Sequence, residues 1–228
     1  MRPFILLLLC VAATTASALP IRFDSAQYST TALVELGAEL AQAADGASPP
    51  DALPVQSNAA IDGIDEHALA DGIADDLFLA SVVDLLSAGS AAGAVATADF
   101  LGTFSGSGRH RLSLDFASFD DSPGGIPDTQ LAVTLTVGLE TLIDQIFDRT
   151  MRFEYDFDLA SAIDGILSLS LVSTAEATDG SAFNLSSVDF QLNTIPEPSS
   201  LALCLLAVAL LLAARAGPAA RWPDPTHE

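Results

Sequence analysis

The sequence predicts a mainly β protein: an antiparallel β-sandwich ectodomain flanked by an N-terminal signal peptide and a C-terminal transmembrane helix. Three observations predict it. Apolar and polar residues alternate with period two in several stretches of the second half. An apolar run, Phe4 to Ala13, follows a single arginine at the start of the chain. A second apolar run near the end carries no charge from Ser199 to Ala214. The expected organisation is a signal peptide over 1–18, an ectodomain over 19–195, a Pro-Glu-Pro motif at 196–198, a transmembrane helix over 199–214 and a cytoplasmic tail over 215–228.

At the N-terminus, Arg2 supplies a positive n-region, Phe4–Ala13 the apolar h-region and Ala16-Ser17-Ala18 an A-x-A cleavage site. Leu19 is then the first mature residue. A lipoprotein signal would need a small residue before the acylated cysteine, but Leu9 precedes Cys10 and Cys10 lies inside the apolar run.

In the first half of the ectodomain two readings compete. Leu33, Leu36 and Leu40 have helical spacing, while Tyr28-Ser-Thr-Thr31 favours a strand. Residues 41–60 contain Pro49, Pro50 and Pro54 among Ala, Gly and Ser, which predicts a Pro/Ala-rich loop. Asp65–Ser87 reads as a helix through Leu69, Ile73, Leu77 and Val83, weakened by Gly72 and by Val82-Val83.

The second half reads as strands. Leu112, Leu114 and Phe116 alternate with polar residues, as do Leu131 to Leu139, Phe153 to Leu159, Leu167 to Leu171 and Val188 to Leu192. One apolar face at period two means half-buried antiparallel strands. Gly106-Ser107-Gly108 between Phe100–Phe104 and Leu112–Phe116 predicts a hairpin turn. Several such strands in succession predict two packed sheets.

The second apolar run spans roughly 24 Å as a helix, slightly under a hydrocarbon core of about 30 Å. It is apolar all round, it follows Pro196 and Pro198, and Arg215 and Arg221 come after it. Those arginines act as a stop-transfer signal and assign the tail to the cytoplasm.

Pro196-Glu197-Pro198, small polar residues, a short Leu/Ala-rich span and then arginine resemble the PEP-CTERM sorting signal of Gram-negative bacteria, over about residues 195–221. The resemblance implies processing by an exosortase, a membrane-embedded cysteine transpeptidase that cuts near the Pro-Glu-Pro. The body, from Arg22-Phe23-Asp24 through Gly102-Thr-Phe-Ser-Gly-Ser-Gly108 to Val188-Asp-Phe-Gln-Leu192, is similar in pattern to the β-sandwich ectodomains common among PEP-CTERM proteins.

Charge and composition narrow the function. Thirty acids face eight basic residues, all arginine, for a net charge of −22. That excludes nucleic acid as a partner, because phosphates require basic patches, and it opposes electrostatic docking on anionic lipid. The two cysteines, Cys10 and Cys204, both lie in the terminal apolar runs, so the part between has no disulfide, thiolate metal site or thiol nucleophile.

His67 and His110 are the ectodomain histidines. No G-x-S-x-G elbow accompanies them. His110, in Arg109-His110-Arg111 beside the predicted turn, reads as a solvated residue, and His67 as a surface residue beside Asp65-Glu66. Asp120, Asp121 and Asp128 flank a Gly-rich turn and are the candidate calcium ligands; otherwise no cofactor is expected. A second acidic stretch, Asp62 to Asp76, fits neither an EF-hand nor a calcium repeat. Sugar stacking has little aromatic support, with Trp222 in the tail and Phe119 breaking the alternation of Leu112–Phe116.

The resulting expectation is an exported, non-enzymatic protein. It passes through an inner-membrane intermediate to the cell surface or extracellular matrix, meeting signal peptidase, an exosortase and exopolysaccharide. The alternative is a calcium- or carbohydrate-binding extracellular module.

Overall fold

The computed structural model describes residues 19–48, 53–123 and 125–195, without the side chains of 19, 126 and 160–163. The expected signal peptide, the Pro-Glu-Pro motif, the apolar span and the tail with Arg215 and Arg221 lie outside the described residues. Pro20–Thr194 forms one compact unit. No helix among the described residues is long and apolar enough to cross a membrane.

This unit is antiparallel β throughout. The strands are β1 (Leu19–Pro20), β2 (Ser25–Leu36), β3 (Glu39–Ala47), β4 (Val55–Asp62), β5 (His67–Asp75), β6 (Phe78–Asp121), β7 (Gly125–Val137), β8 (Glu140–Phe147) and β9 (Met151–Thr194). β6 and β9, of 44 residues each, organise the rest. Residues 92–106 of β6 pair with 163–177 of β9, and outward from this pair lie β2 and β3 on one side, β7 and β8 on the other. Residues 78–88 of β6 pair with 179–189 of β9 and, on their other side, with β5, which pairs with β4. Residues 108–121 then lie between two parts of β9, pairing with 151–159 and with 183–194.

Three expectations are corrected. Gly106-Ser107-Gly108 is not a hairpin turn. The chain continues through it inside β6, with a register shift between Gly106 and Gly108. Gly108 has φ +93°, so the glycine permits the bend at which β6 leaves one set of partners for another. Asp65–Ser87 is not helical but contains β5 and the start of β6. Residues 41–60 are not one loop, since β3 runs to Ala47 and β4 begins at Val55.

Side chains from both sets of pairings interleave. The Phe100 and Phe190 rings are 4.6 Å apart and those of Phe104 and Phe157 are 6.3 Å apart. The core has two parts. One is built of large residues, among them Phe100, Phe104, Phe116, Phe190, Leu169 and Leu171. The other is mostly alanine, including Ala32, Ala59, Ala70, Ala94, Ala96 and Ala175.

A belt of buried hydroxyls lies between the two parts. Thr30 sits between Tyr28 and Ala32 on β2, Ser57 between Val55 and Ala59 on β4, Ser81 between Leu79 and Val83 on β6, and Ser173 between Leu171 and Ala175 on β9. They satisfy one another: Thr30 Oγ1 and Ser57 Oγ are 2.6 Å apart, and Thr129 Oγ1 and Ser186 Oγ 2.9 Å. Gly72 belongs to the same level. A Cβ there would collide with the Thr97 carbonyl oxygen, and this close approach is why small residues fill that end of the core.

Candidate functional site

A groove on the described surface is built by Pro20–Tyr28 together with Ser48, Leu53, Asp76 and Leu77. Asp24 N donates to Thr103 O at 2.8 Å and Ile21 N to Leu192 O at 2.7 Å, which pins the segment before β2. Phe23 then packs edge-on against Phe100, with centroids 5.0 Å apart. The groove beside it, about 1060 Å³, is lined by Ile21, Phe23, Tyr28, Leu53, Asp76 and Leu77 among others. Burial pushes the Tyr28 phenol up to about 12, helped by the negative charges of Asp76 and Asp75. Tyr28 is therefore neutral at physiological pH and suited to hydrogen bonding, not to accepting a proton. An apolar floor beneath a polar rim that holds Arg22, Asp24 and Asp76 suits an apolar ligand with hydroxyls.

The residues singled out in the sequence do not converge. His67 Nε2 lies 3.4 Å from Asp84 Oδ2, a partner across the β5–β6 hairpin, not beside it in sequence. Glu66 instead holds a second irregularity in β6, the register shift between Ala88 and Ala92, accepting from Ala88 N at 3.0 Å and Ser90 Oγ at 3.3 Å. Asp120 and Asp121 end β6, whereas Asp128 lies on β7 and accepts from Gln130 Nε2 at 3.1 Å. Among the described residues no three His, Cys, Asp or Glu side chains gather closely enough to hold a metal ion.

His110 corrects the sequence reading most sharply. It is not solvated but 1% exposed, and neither ring nitrogen has a hydrogen-bond partner among the described residues. Its ring packs 5.5 Å from that of Phe157. Desolvation lowers its pKa from the ordinary histidine value, opposed by the charge of Asp158.

Sequence reasoning missed a charge ladder on the outer face. Arg109, Arg111 and Asp115 of β6 stand in register with Asp158, Asp156 and Arg152 of β9. Arg111 grips Asp156 bidentately, Nε to Oδ1 at 2.6 Å and Nη2 to Oδ2 at 3.1 Å, and also reaches Glu154 Oε2 at 3.2 Å. Arg109 Nη2 adds a bond to Asp156 Oδ2 at 3.1 Å. The hydrogen bond from Arg111 is the main reason that the Asp156 carboxyl lies below the usual carboxylate range. The signal was present in sequence as two opposite-sign alternations, Arg109/Arg111 and Glu154/Asp156/Asp158.

The outer face around the 92–106 and 163–177 pair is different, lined by hydroxyls. Thr31 and Thr97 Oγ1 atoms are 2.6 Å apart, as are Ser25 Oγ and Thr103 Oγ1. Asp99 accepts from Ser170 Oγ at 2.6 Å and from Ser29 Oγ at 3.4 Å.

Comparison with known proteins identifies no family. No protein-family model matches the chain, and no curated protein matches it. Distant likenesses exist among solved structures. The GH31 alpha-xylosidase from Xanthomonas citri is 7% identical with a TM-score of 0.20, and the match covers 68% of this chain and 32% of the xylosidase. The VP2 subviral particle of infectious bursal disease virus is 13% identical with a TM-score of 0.22, covering 88% of this chain and 74% of VP2. A mutant VP2 of the same virus gives 11% identity and a TM-score of 0.21, covering 88% of this chain and 73% of that one. At these scores the likenesses carry no argument about fold or function.

Proposed function

We propose that the chain is an exported surface or exopolysaccharide-matrix protein of the PEP-CTERM kind, sorted and cleaved by an exosortase, with a structural or interaction role and no catalysis. The observation that carries this reading is the order Pro196-Glu197-Pro198, uncharged apolar span, then Arg215 and Arg221, in a chain that opens on a signal-peptide pattern. In this proposal signal peptidase removes one end and the inner membrane holds the other until exosortase acts. The body between is a β-sandwich. Contacts such as Phe100 with Phe190 and Ser81 with Ser173, each joining the two sets of pairings, support that architecture. Intact-mass analysis of the mature exported protein tests the proposal. The expected masses lack both ends, cut near Ala18 and near Pro198; recovery of the tail through Glu228 from the outer surface overturns it.

A second reading, carbohydrate binding, is favoured by the row of surface hydroxyls around Asp99, where Thr31 meets Thr97, Ser25 meets Thr103, and Ser29 and Ser170 donate to Asp99. Co-sedimentation with the exopolysaccharide tests it. Binding must weaken in Thr31→Lys and Thr97→Lys, and binding that ignores both changes removes this reading.

A further inference from the structure

The outer face formed by β5, the start of β6, the end of β9 and the end of β6 carries an apolar strip. Val82, Leu185 and Phe119 stand side by side in register on three adjacent strand segments. Phe119 is 59% exposed and Leu185 42%. Phe183 broadens the strip, its ring 6.2 Å from that of Phe119 in an edge-on contact. Outward-facing strand positions of a soluble antiparallel sheet are ordinarily polar. Three adjacent apolar side chains in one row therefore mark a surface built to be covered.

The surroundings say what covers it. Asp71 is in register with Val82 on β5, and Asp84 and Asp121 flank Phe183 on either side. Asp189 and Asp115 stand together two rows below. Asp71 is held by Gln56, whose Nε2 donates to its two oxygens at 3.0 and 2.8 Å, and burial raises its pKa. Arg152, in register with Asp115, is engaged with Glu154 at 3.3 Å, and His67 Nε2 lies 3.4 Å from Asp84 Oδ2. A second copy would set aspartates against aspartates, and like charges across an interface oppose association. An anionic lipid surface is opposed by the same rim.

We infer that this face docks a polypeptide segment that presents a row of apolar side chains flanked by lysine or arginine. The apolar row would cover Val82, Leu185 and Phe119, and its cations would meet the aspartate rim. The surface belongs to the folded body and stands whether or not the chain is exported and processed.

The test uses the full chain and two synthetic peptides of equal charge, one alternating leucine with lysine and one alternating serine with lysine. Binding is followed by fluorescence anisotropy at two salt concentrations. The leucine peptide is expected to bind at least about tenfold more tightly than the serine peptide. The double variant Phe119→Ser/Leu185→Ser is expected to erase that difference while leaving serine-peptide binding unchanged. Both side chains are substantially exposed, so the variant should fold, and circular dichroism checks this. The milder Phe119→Leu, which keeps the strip apolar, must retain the preference. Equal binding of the two peptides overturns the inference, as does a preference that survives the double variant. Concentration-dependent self-association of the full chain that the double variant abolishes assigns the strip to a second copy and also overturns it.

Discussion

Ser81 and Ser173 stand 92 residues apart in sequence, yet their Oγ atoms are 2.7 Å apart and both side chains are fully buried. Ser81 belongs to the part of β6 paired with the end of β9, and Ser173 to the middle of β9 paired with β7. Their contact therefore ties the two sets of pairings together at the level where the large-residue core gives way to alanine. A buried hydroxyl left without a partner costs about 1–3 kcal/mol, whereas removing both partners costs less. Ser173→Ala is expected to destabilise by about that amount, because Ser81 has no other side-chain partner among the described residues. The double variant Ser81→Ala/Ser173→Ala should cost clearly less than the sum of the singles. Denaturant titration of the four proteins in this cycle measures the coupling. Strict additivity would show that the two hydroxyls do not depend on one another.

His110 predicts how stability changes with acid. Its folded pKa lies below the ordinary histidine value of 6.5, because the ring is desolvated against Phe157. The unfolded chain thus binds a proton at a pH where the folded chain does not, and unfolding is favoured as pH falls. The contribution is fully present above pH 6.5 and is lost progressively as pH falls from there toward the folded pKa. Of the charged groups around it, Asp156, Arg109 and Arg111 are paired with one another in the outer ladder, and the charge of Asp158 partly offsets the desolvation. His110→Phe keeps an aromatic ring against Phe157 and removes the titration. Thermal melts from pH 8 to pH 5 should show a shallower decline in this variant than in the parent. Parallel curves would mean that His110 does not titrate differently on unfolding.

How much of this was legible in the sequence depends on the size of the inward residues. Leu167, Leu169 and Leu171 read as a strand at once, since all three are buried and their neighbours are polar. At the alanine end the pattern inverts. In β5 the buried positions are Ala68, Ala70, Gly72 and Ala74, while the larger Leu69 and Ile73 face outward. Backbones too close for leucine put the small residues inside. Leu69, Ile73 and Leu77 then recur every four residues, a spacing that suits one helix face and also one strand face. Gly106 to Gly108 was misread because the partners that make it a bend and not a turn, 151–159 and 163–177, lie far along the chain. The burial of His110 was readable, since period two puts it on the face of Leu112 and Leu114; the flanking arginines obscured it. Of the candidate site, the groove depends on Leu53, Asp76 and Tyr28 meeting across strands, and no local pattern announces that.

Gly72 tests the close approach directly. Its missing Cβ leaves room for the Thr97 carbonyl oxygen, and Thr30 Cβ would lie 3.3 Å from an added methyl. A backbone oxygen cannot rotate away as a side chain can. Gly72→Ala is therefore expected to destabilise by about 1–3 kcal/mol, the usual cost of overpacking. This outweighs the smaller gain that alanine usually brings by restricting the unfolded chain. Gly93→Ala is the control, because a Cβ there meets nothing within 4 Å. If Gly72→Ala proves neutral in denaturant titration, the two sets of strands are not held in backbone contact at this level.

Charge supplies the last prediction. At a net charge of −22 the folded chain repels itself, and ions screen that repulsion over a Debye length of about 10 Å at 0.1 M. Stability should rise as salt is added from a low starting level. Screening acts about equally for sodium and calcium chlorides at matched ionic strength. A specific calcium site would add stabilisation that grows with ligand excess, about 2.7 kcal/mol at a hundred times Kd. Asp120 and Asp121 at the end of β6 do not gather with Asp128 into a group of metal ligands. The expected result is therefore a common rise in melting temperature with no calcium excess. An excess that disappears in Asp120→Asn/Asp121→Asn would show that calcium draws those carboxylates together, against the geometry described above. A melting temperature insensitive to either salt would mean that the arginine ladder and the spacing of the acids already relieve the repulsion.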